Sequence, residues 1–223
     1  MMTSISAGVS SDFHIARMDQ NEVPAVVEVH LRSFPGFFLT FLGPAFLREL
    51  YLATIEDLSG IGFVAKDGTG IWGFVTGTAQ PAGFYRRLLQ KRWWRFSLAA
   101  IGPVIKQPSI LPRLLRAFSM PAQVAQQEKR GTLMSLAVHP GAQGGGIGQS
   151  LVMAFLREAS QRGLEQVDLT TDRDNNDSVN RFYERLGFVC VRSFTTPEGR
   201  AMNEYLIDLA AWDGREKWAR SGH

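Results

Sequence analysis

The sequence predicts a mixed α/β fold of about seven strands flanked by helices, with a helical insertion after the third strand. Three observations predict it. Short apolar segments that read as strands alternate with segments whose apolar residues recur at helical spacing. Asp67-Gly68 stands between two such strands as a hairpin turn signal. The run Gln143-Gly144-Gly145-Gly146-Ile147-Gly148 then joins an apolar stretch, Leu133 to Val138, to an amphipathic one, so strand, glycine-rich turn and helix follow in order.

The elements fall as follows. Phe13 to Met18 reads as a first strand. Asn21 to Ser33 reads as a helix with Val23, Val26, Val27 and His30 on one face, broken by Pro35-Gly36. Pro44 to Leu58 is a second helix, with Phe46, Leu47, Leu50, Tyr51 and Ile55 at helical spacing. Gly62 to Lys66 and Ile71 to Thr78 are the hairpin strands. After the insertion come a strand at 132–138, a helix at 147–162 closed by Gly163, and a strand at 166–171. A short helix at 176–186 and strands at 188–192 and 202–208 complete the order.

The glycine-rich turn is the segment that speaks to chemistry. Glycines let a backbone approach a ligand and adopt positive φ, and the first N–H groups of the following helix lack intrahelical partners. Such a turn suits a phosphorylated ligand. Two common versions do not fit. A phosphate-cradling P-loop needs Lys-Ser/Thr after its last glycine, but Gly148 is followed by Gln149-Ser150. A dinucleotide fingerprint needs G-x-G-x-x-G, whose last place falls on Gln149 or Leu151 in the two available registers.

The spacing that does fit is Gln-x-x-Gly-x-Gly, at Gln143, Gly146 and Gly148. With the preceding Ala137-Val138-His139-Pro140, it resembles the pyrophosphate loop of the GNAT superfamily of N-acetyltransferases. A second motif, Asn176 to Phe188, resembles that family's other cofactor segment: an Asn seven residues before Tyr183, then Gly187-Phe188. Val179, Phe182, Tyr183 and Leu186 make its apolar face, and Gly187 sits where a helix C′ glycine belongs.

The resemblance implies a GNAT-type fold, a central twisted mixed sheet, in one acyl-CoA N-acyltransferase domain over 1–223. It implies transfer of an acetyl group from acetyl-CoA, a cosubstrate, directly to the primary amine of a small molecule in a ternary complex. By carry-over, main-chain groups of Leu136, Ala137 and Val138 pair with the pantetheine arm beside a fourth strand bent by a β-bulge. Gln143, Gly144, Gly145, Gly146, Ile147, Gly148 and Gln149 hold the pyrophosphate, and Asn176 bonds near the cofactor arm. A donor near Leu136 polarises the thioester carbonyl, and Tyr183 is the general acid. Phe34 and Phe37 are candidates for lining the acceptor pocket, expected between the turn at 34–38, the insertion and the ends of the central strands.

The general base is the departure from pattern. Many members carry a carboxylate on the fourth strand where this chain has Met134, beside Ser135. A lysine-like amine costs about 4.6 kcal/mol to deprotonate at pH 7, an α-amine only about 1.4. Either the acceptor has a low pKa, as in an amino sugar or α-amine, or the base lies elsewhere; Glu128, Glu22, His30 and Asp172 are candidates. The bland reading makes His30 a satisfied core histidine and His139 the shaper of the turn before Pro140. Because that carboxylate is missing, a non-catalytic acyl-CoA-binding module is an alternative, as is an acetyltransferase acting on protein N-termini or lysines.

At 223 residues with 45% hydrophobic content the chain suits one well-packed domain. No apolar run reaches the length of a membrane span, residues 1–12 lack an apolar signal core, and Cys190 is the only cysteine. A cytoplasmic location follows as the expectation, with Cys190 read as a buried, inert thiol. No spacing of metal ligands is present, so no metal is expected. A homodimer is compatible with the sequence.

The insertion at 81–128 reads as two or three short helices. It holds eight cations, from Arg86 to Arg116, and no acid before Glu128, so the rest of this +3 chain is net acidic. Three readings compete: a lid with packed aromatics and solvated arginines, a site for an anionic acceptor or the cofactor's outer phosphate, or contact with lipid or nucleic acid. No nucleic-acid fold motif accompanies the segment.

Overall fold

The computed structural model describes residues 13–106 and 129–212. Seven strands form one mixed sheet: β1 (His14–Arg17), β2 (Gly60–Lys66), β3 (Ile71–Thr78), β4 (Arg130–Val138), β5 (Gln166–Asp172), β6 (Val189–Thr195) and β7 (Ala201–Asp208). They lie in the order β1-β2-β3-β4-β5-β7-β6. Only β4 and β5 run parallel; the remaining neighbours are antiparallel.

Helices cover both faces. α1 (Val23–Ser33), α2 (Phe38–Phe41) and α3 (Gly43–Glu56) belong to one side, α5 (Ile147–Gln161) to the other, and α6 (Asp177–Arg185) leads into β6. Strand alternation sorts the core. Val64 and Phe74 join Val26, Leu47 and Tyr51 beneath α1 and α3, while their neighbours Ala65 and Val75 join Leu151 and Phe155 of α5. Gly77 lets that second layer close: a Cβ there would stand 2.7 Å from the Phe155 ring and 2.2 Å from the Thr132 carbonyl oxygen.

The predicted strands and helices are present with small shifts at their ends. The hairpin turn is longer than Asp67-Gly68 alone, because Asp67 Oδ1 accepts from Thr69 N (2.7 Å), Thr69 Oγ1 (2.6 Å) and Gly70 N (3.1 Å), and so holds a four-residue loop. Cys190 corrects an expectation. It is exposed, because β6 is the outer strand and presents both faces to solvent along most of its length.

The insertion begins with α4 (Phe84–Lys106), whose helical path is interrupted at Arg92 (φ −136°, ψ 25°); residues 107–128, with Glu128, lie outside the described residues. Its buried face, Phe84, Leu88, Phe96 and Ala100, packs on Leu42, Phe46 and Leu50 at α3. The charges sit in water only in part as the lid reading has them: the side chains of Lys91 and Arg95 stay 59% and 44% exposed, yet four cations meet acids of the body. Arg92 donates to Glu49 at 2.9 Å and to Glu56 at 2.5 Å, Arg87 and Lys91 each approach Asp57 at 3.6 Å, and Arg95 approaches Glu49 at 3.7 Å. The tryptophans, which the lid reading packs on the body, are exposed too: Trp93 is 65% exposed and Trp94 50%. No helix among the described residues is long and apolar enough to cross a membrane.

Candidate active site

The site begins with a failure of pairing. β4 and β5 pair only from Arg130↔Gln166 to Thr132↔Asp168 and then separate. On its other edge β4 stays paired with β3 to Val138, but Thr76↔Ser135 is followed by Gly77↔Leu133. Met134 is therefore an extra residue, a β-bulge of the kind that bends a strand. Past the bulge, β4 faces an opening instead of a neighbour. A cleft of about 850 Å³ occupies that opening, bordered by Leu136 and Val138 on one side and by Thr170, Thr171 and Asp172 on the other.

The glycine-rich turn closes one end. Gly146 is the N-cap of α5 with φ 79°, and no side chain caps the helix. The first backbone bond across this terminus runs from Ser150 N to Gly146 O at 3.0 Å. The N–H groups of Ile147, Gly148 and Gln149 thus have no partner among the described residues. All three residues border the cleft. Cβ atoms placed on Gly144 or Gly146 would meet nothing within 4 Å, so the space before these amides is open and their requirement for glycine comes from φ alone. His139 Nδ1 accepts from Gly141 N at 3.1 Å and its Nε2 lies 3.1 Å from Arg32, which fixes the approach as the sequence suggested.

The second motif lines the far wall. Asn176 donates to Thr171 Oγ1 and to Asp172 O, both at 2.9 Å, tying β5 to α6 and leaving its side-chain carbonyl without a partner among the described residues. Tyr183 is buried among Phe182, Phe188 and Tyr205. That burial pushes its hydroxyl well above the ordinary tyrosine value. Gly187, at φ 94°, ends the segment where the sequence put a C′ glycine.

Most predicted site residues meet at this cleft: Leu136, Val138, Gln143, Gly144, Gly146, Ile147, Gly148, Gln149, Asn176, Tyr183, Phe34 and Phe37. Ala137 and Gly145 do not border it. The Ala137 side chain joins the core beneath α1 and α3, and Gly145 sits exposed on the outer side of its turn. Nor does any residue of α4 border the cleft; the described part of the insertion packs behind Met134 instead.

The proposed bases separate clearly. Glu22 is spent in a capping box with Asp19 and an ion pair with Lys66 at 2.5 Å, away from the cleft. Asp172 borders the cleft but accepts a forked pair from Arg200, with Nη2 at 2.7 Å and Nε at 3.1 Å. His30 also borders it, 2% exposed, with Nδ1 2.6 Å from Tyr51 Oη. Only half of it is satisfied: Nε2 is buried with no partner. Burial lowers its pKa to about 4.

Arg200 and Met202 at the β7 end, Arg185 and Leu39 are cleft residues that sequence reasoning missed, while Phe38 belongs to the turn at 34–38 that was expected there. Arg200 had no usable signal, since only the β6–β7 turn carries it to Asp172.

Sheet and cleft together define a class: mixed α/β proteins whose central sheet parts into a cleft beside a bulged strand and an uncapped helix. The family model described as the acetyltransferase (GNAT) family matches residues 23–188, and the chain belongs to that family. Among curated relatives, the mycothiol acetyltransferases of Saccharomonospora viridis and Streptomyces avermitilis are 44% and 46% identical over 63 and 66 residues. Those matches cover 28% and 30% of this chain but only 20% and 21% of the relatives, so the chain spans about a fifth of their length. Among solved structures, the ribosomal-protein-S18-alanine N-acetyltransferase of Escherichia coli aligns over 89% of this chain and 94% of its own, at TM-score 0.55 and 14% identity. An aminoglycoside 6′-acetyltransferase type Ii aligns over 88% and 97%, at 0.56 and 16%. Likeness of that order establishes the shared fold.

Proposed function

We propose that this chain transfers an acetyl group from acetyl-CoA directly to a primary amine of a small molecule. The observation that carries the reading is the uncapped start of α5, opening onto the gap between β4 and β5. Coenzyme A's diphosphate needs several N–H donors at one point, and its pantetheine arm needs a strand edge with unpaired main-chain groups. The amides of Ile147 to Gln149 and the edge of β4 from Leu136 to Val138 meet both needs. Family membership and the name of the curated relatives support the acetyl donor. Their short overlap carries nothing about the acceptor.

In this reading the amine nitrogen attacks the thioester carbonyl carbon while a main-chain N–H near Leu136 stabilises the charge growing on oxygen. The C–N bond forms, the C–S bond breaks, and sulfur leaves with the electron pair. Tyr183 gives that sulfur its proton and is later reprotonated from solvent. Its raised pKa keeps the phenol protonated through the neutral range, the state an acid requires. The amine's own proton passes to solvent, because Met134 and Ser135 at the bulge supply no competent base.

Calorimetry with acetyl-CoA, paired with thiol release over a panel of amines, tests the reading. Heat on binding together with amine-dependent thiol release bears it out. Binding with no transfer to any amine makes the chain an acyl-CoA-binding module, and absence of binding overturns the reading altogether.

A further inference from the structure

The half of the cleft that faces α1 and α2 is aromatic from rim to floor. Phe37, 40% exposed, stands at the mouth. Its ring meets Phe34 at 5.3 Å, and Phe34 meets the buried His30 at 4.8 Å. Phe38, Leu39 and Met134 border the same end. Across the mouth, the Arg200 guanidinium lies 5.4 Å from the Phe37 ring centre while it holds Asp172. These contacts make a slot with apolar walls and one polar clasp.

The charge inventory is equally selective. Among the described residues bordering the cleft, Asp172 is the one carboxylate, and Arg200 already occupies it. The other charged groups there are Arg185 and Arg200, both cationic. His30 is neutral near pH 7, since burial lowers its pKa to about 4. An acceptor with several ammonium groups would surrender hydration at each of them and find no unpaired carboxylate among the described residues bordering the cleft in return. An apolar body gains by leaving water for the same walls. With Met134 and Ser135 at the bulge, the site also favours an amine that is substantially neutral in solution.

We infer, resting on the transferase reading above, that the acceptor is a weakly basic α-amine carried on an aromatic or large aliphatic body. The body lies along Phe34, Phe37 and Phe38, with the amine toward Ser135. On the described lining, oligoamines and aminoglycosides are the disfavoured acceptors, despite the fold shared with an aminoglycoside acetyltransferase.

The experiment compares phenylalaninamide with glycinamide, two α-amines that differ in their bodies, beside spermidine and kanamycin, on the full chain with acetyl-CoA. The inference expects kcat/KM for phenylalaninamide at least about tenfold above glycinamide, the scale of burying one aromatic side chain. It expects no transfer to spermidine or kanamycin. Phe34→Ala and Phe37→Ala should shrink the phenylalaninamide preference to within about threefold and leave the acetyl-CoA Kd unchanged. Phe37 lies at the exposed rim and keeps this arm readable if the Phe34 variant does not fold. Equal rates for the two amides, a preference for either polycation, or acetyl-CoA binding with no amine accepted would overturn the inference. Failure to bind acetyl-CoA would instead overturn the reading beneath it.

Discussion

The two halves of the cleft are made of different material. On the side the proposal gives to the donor, β4 past its bulge and the start of α5 offer main-chain N–H and C=O groups held by φ values and strand register. On the side the proposal gives to the acceptor, α1 with the turn after it, the end of β5 and the β6–β7 turn offer side chains: Phe34, Phe37, His30 and the Asp172–Arg200 pair. A main-chain site is encoded where it stands, in consecutive residues. A side-chain site assembled from three distant segments exists only once the sheet has formed. The contrast predicts that donor binding breaks with backbone geometry, and acceptor choice with side-chain volume.

The sharpest way to break it is Gly146→Val. Any L-residue at φ 79° carries about 1–2 kcal/mol of left-handed strain, and a β-branched one is a steric outlier there. The loop is expected to abandon its geometry, weakening acetyl-CoA by about 100-fold in calorimetry. Gly145→Ala is the matched control. Gly145 has no positive φ, and a Cβ there meets only Ala142 O at 3.7 Å, so its Kd should move less than about threefold. Equal losses in both variants would mean that the loop acts by flexibility and not by fixed amides.

Tyr183→Phe tests the group where the two halves meet. Packing against Phe182 and Phe188 survives the change, and the hydroxyl has no protein partner among the described residues to lose. The expected outcome is a fall of about 100-fold in kcat, within the range for general acids, with the acetyl-CoA Kd unchanged. A variant with full turnover across pH would reduce Tyr183 to a packing residue.

How much was legible follows from the same contrast. Gly146 and Gly187 could be read in advance because a positive φ calls for glycine there, and Tyr183 because helical spacing put it on the buried face, whereas Gln143, Gly148 and Asn176 were singled out only through resemblance. The bulge at Met134 was expected only through resemblance, and its position depends on register with Gly77, which no local pattern records. Cys190 was misread because an apolar strand segment does not reveal whether it will be an edge. The ion pairs of α4 were not foreseen for a related reason. Glu49, Glu56 and Asp57 lie 30 or more residues upstream, and only the packing of α3 on α4 brings them to Arg92, Arg87 and Lys91.

His30 offers a readout of the acceptor side that needs no substrate. In the folded chain its pKa falls from the ordinary 6.5 to about 4, through burial. The unfolded chain therefore binds a proton first as pH drops. Stability is fully present above about pH 6.5 and is lost as pH falls toward 4, by about 3 kcal/mol in total. Below that the contribution is flat. His30→Gln, neutral throughout, should remove this component, so the difference in urea-unfolding free energy between wild type and variant should shift by about that amount between pH 7 and pH 4. A pH-independent difference would show that His30 is hydrated in the folded chain.

The smallest effect belongs to the surface of α4, which borders neither half. Trp93 follows Arg92 in sequence, yet the two stand in opposite environments: the Arg92 side chain is 18% exposed and bonded to two glutamates, and Trp93 is 65% exposed. If α4 is held to α3 by Phe84, Leu88, Phe96 and the ion pairs, then Trp93→Ser should change unfolding stability by less than about 0.5 kcal/mol. Arg92→Ala should cost more, because it leaves Glu49 and Glu56 without their shared partner. Thermal melts of the two variants decide the matter. A larger loss at Trp93 than at Arg92 would mean that the exposed face of α4, and not its contact with α3, anchors the insertion.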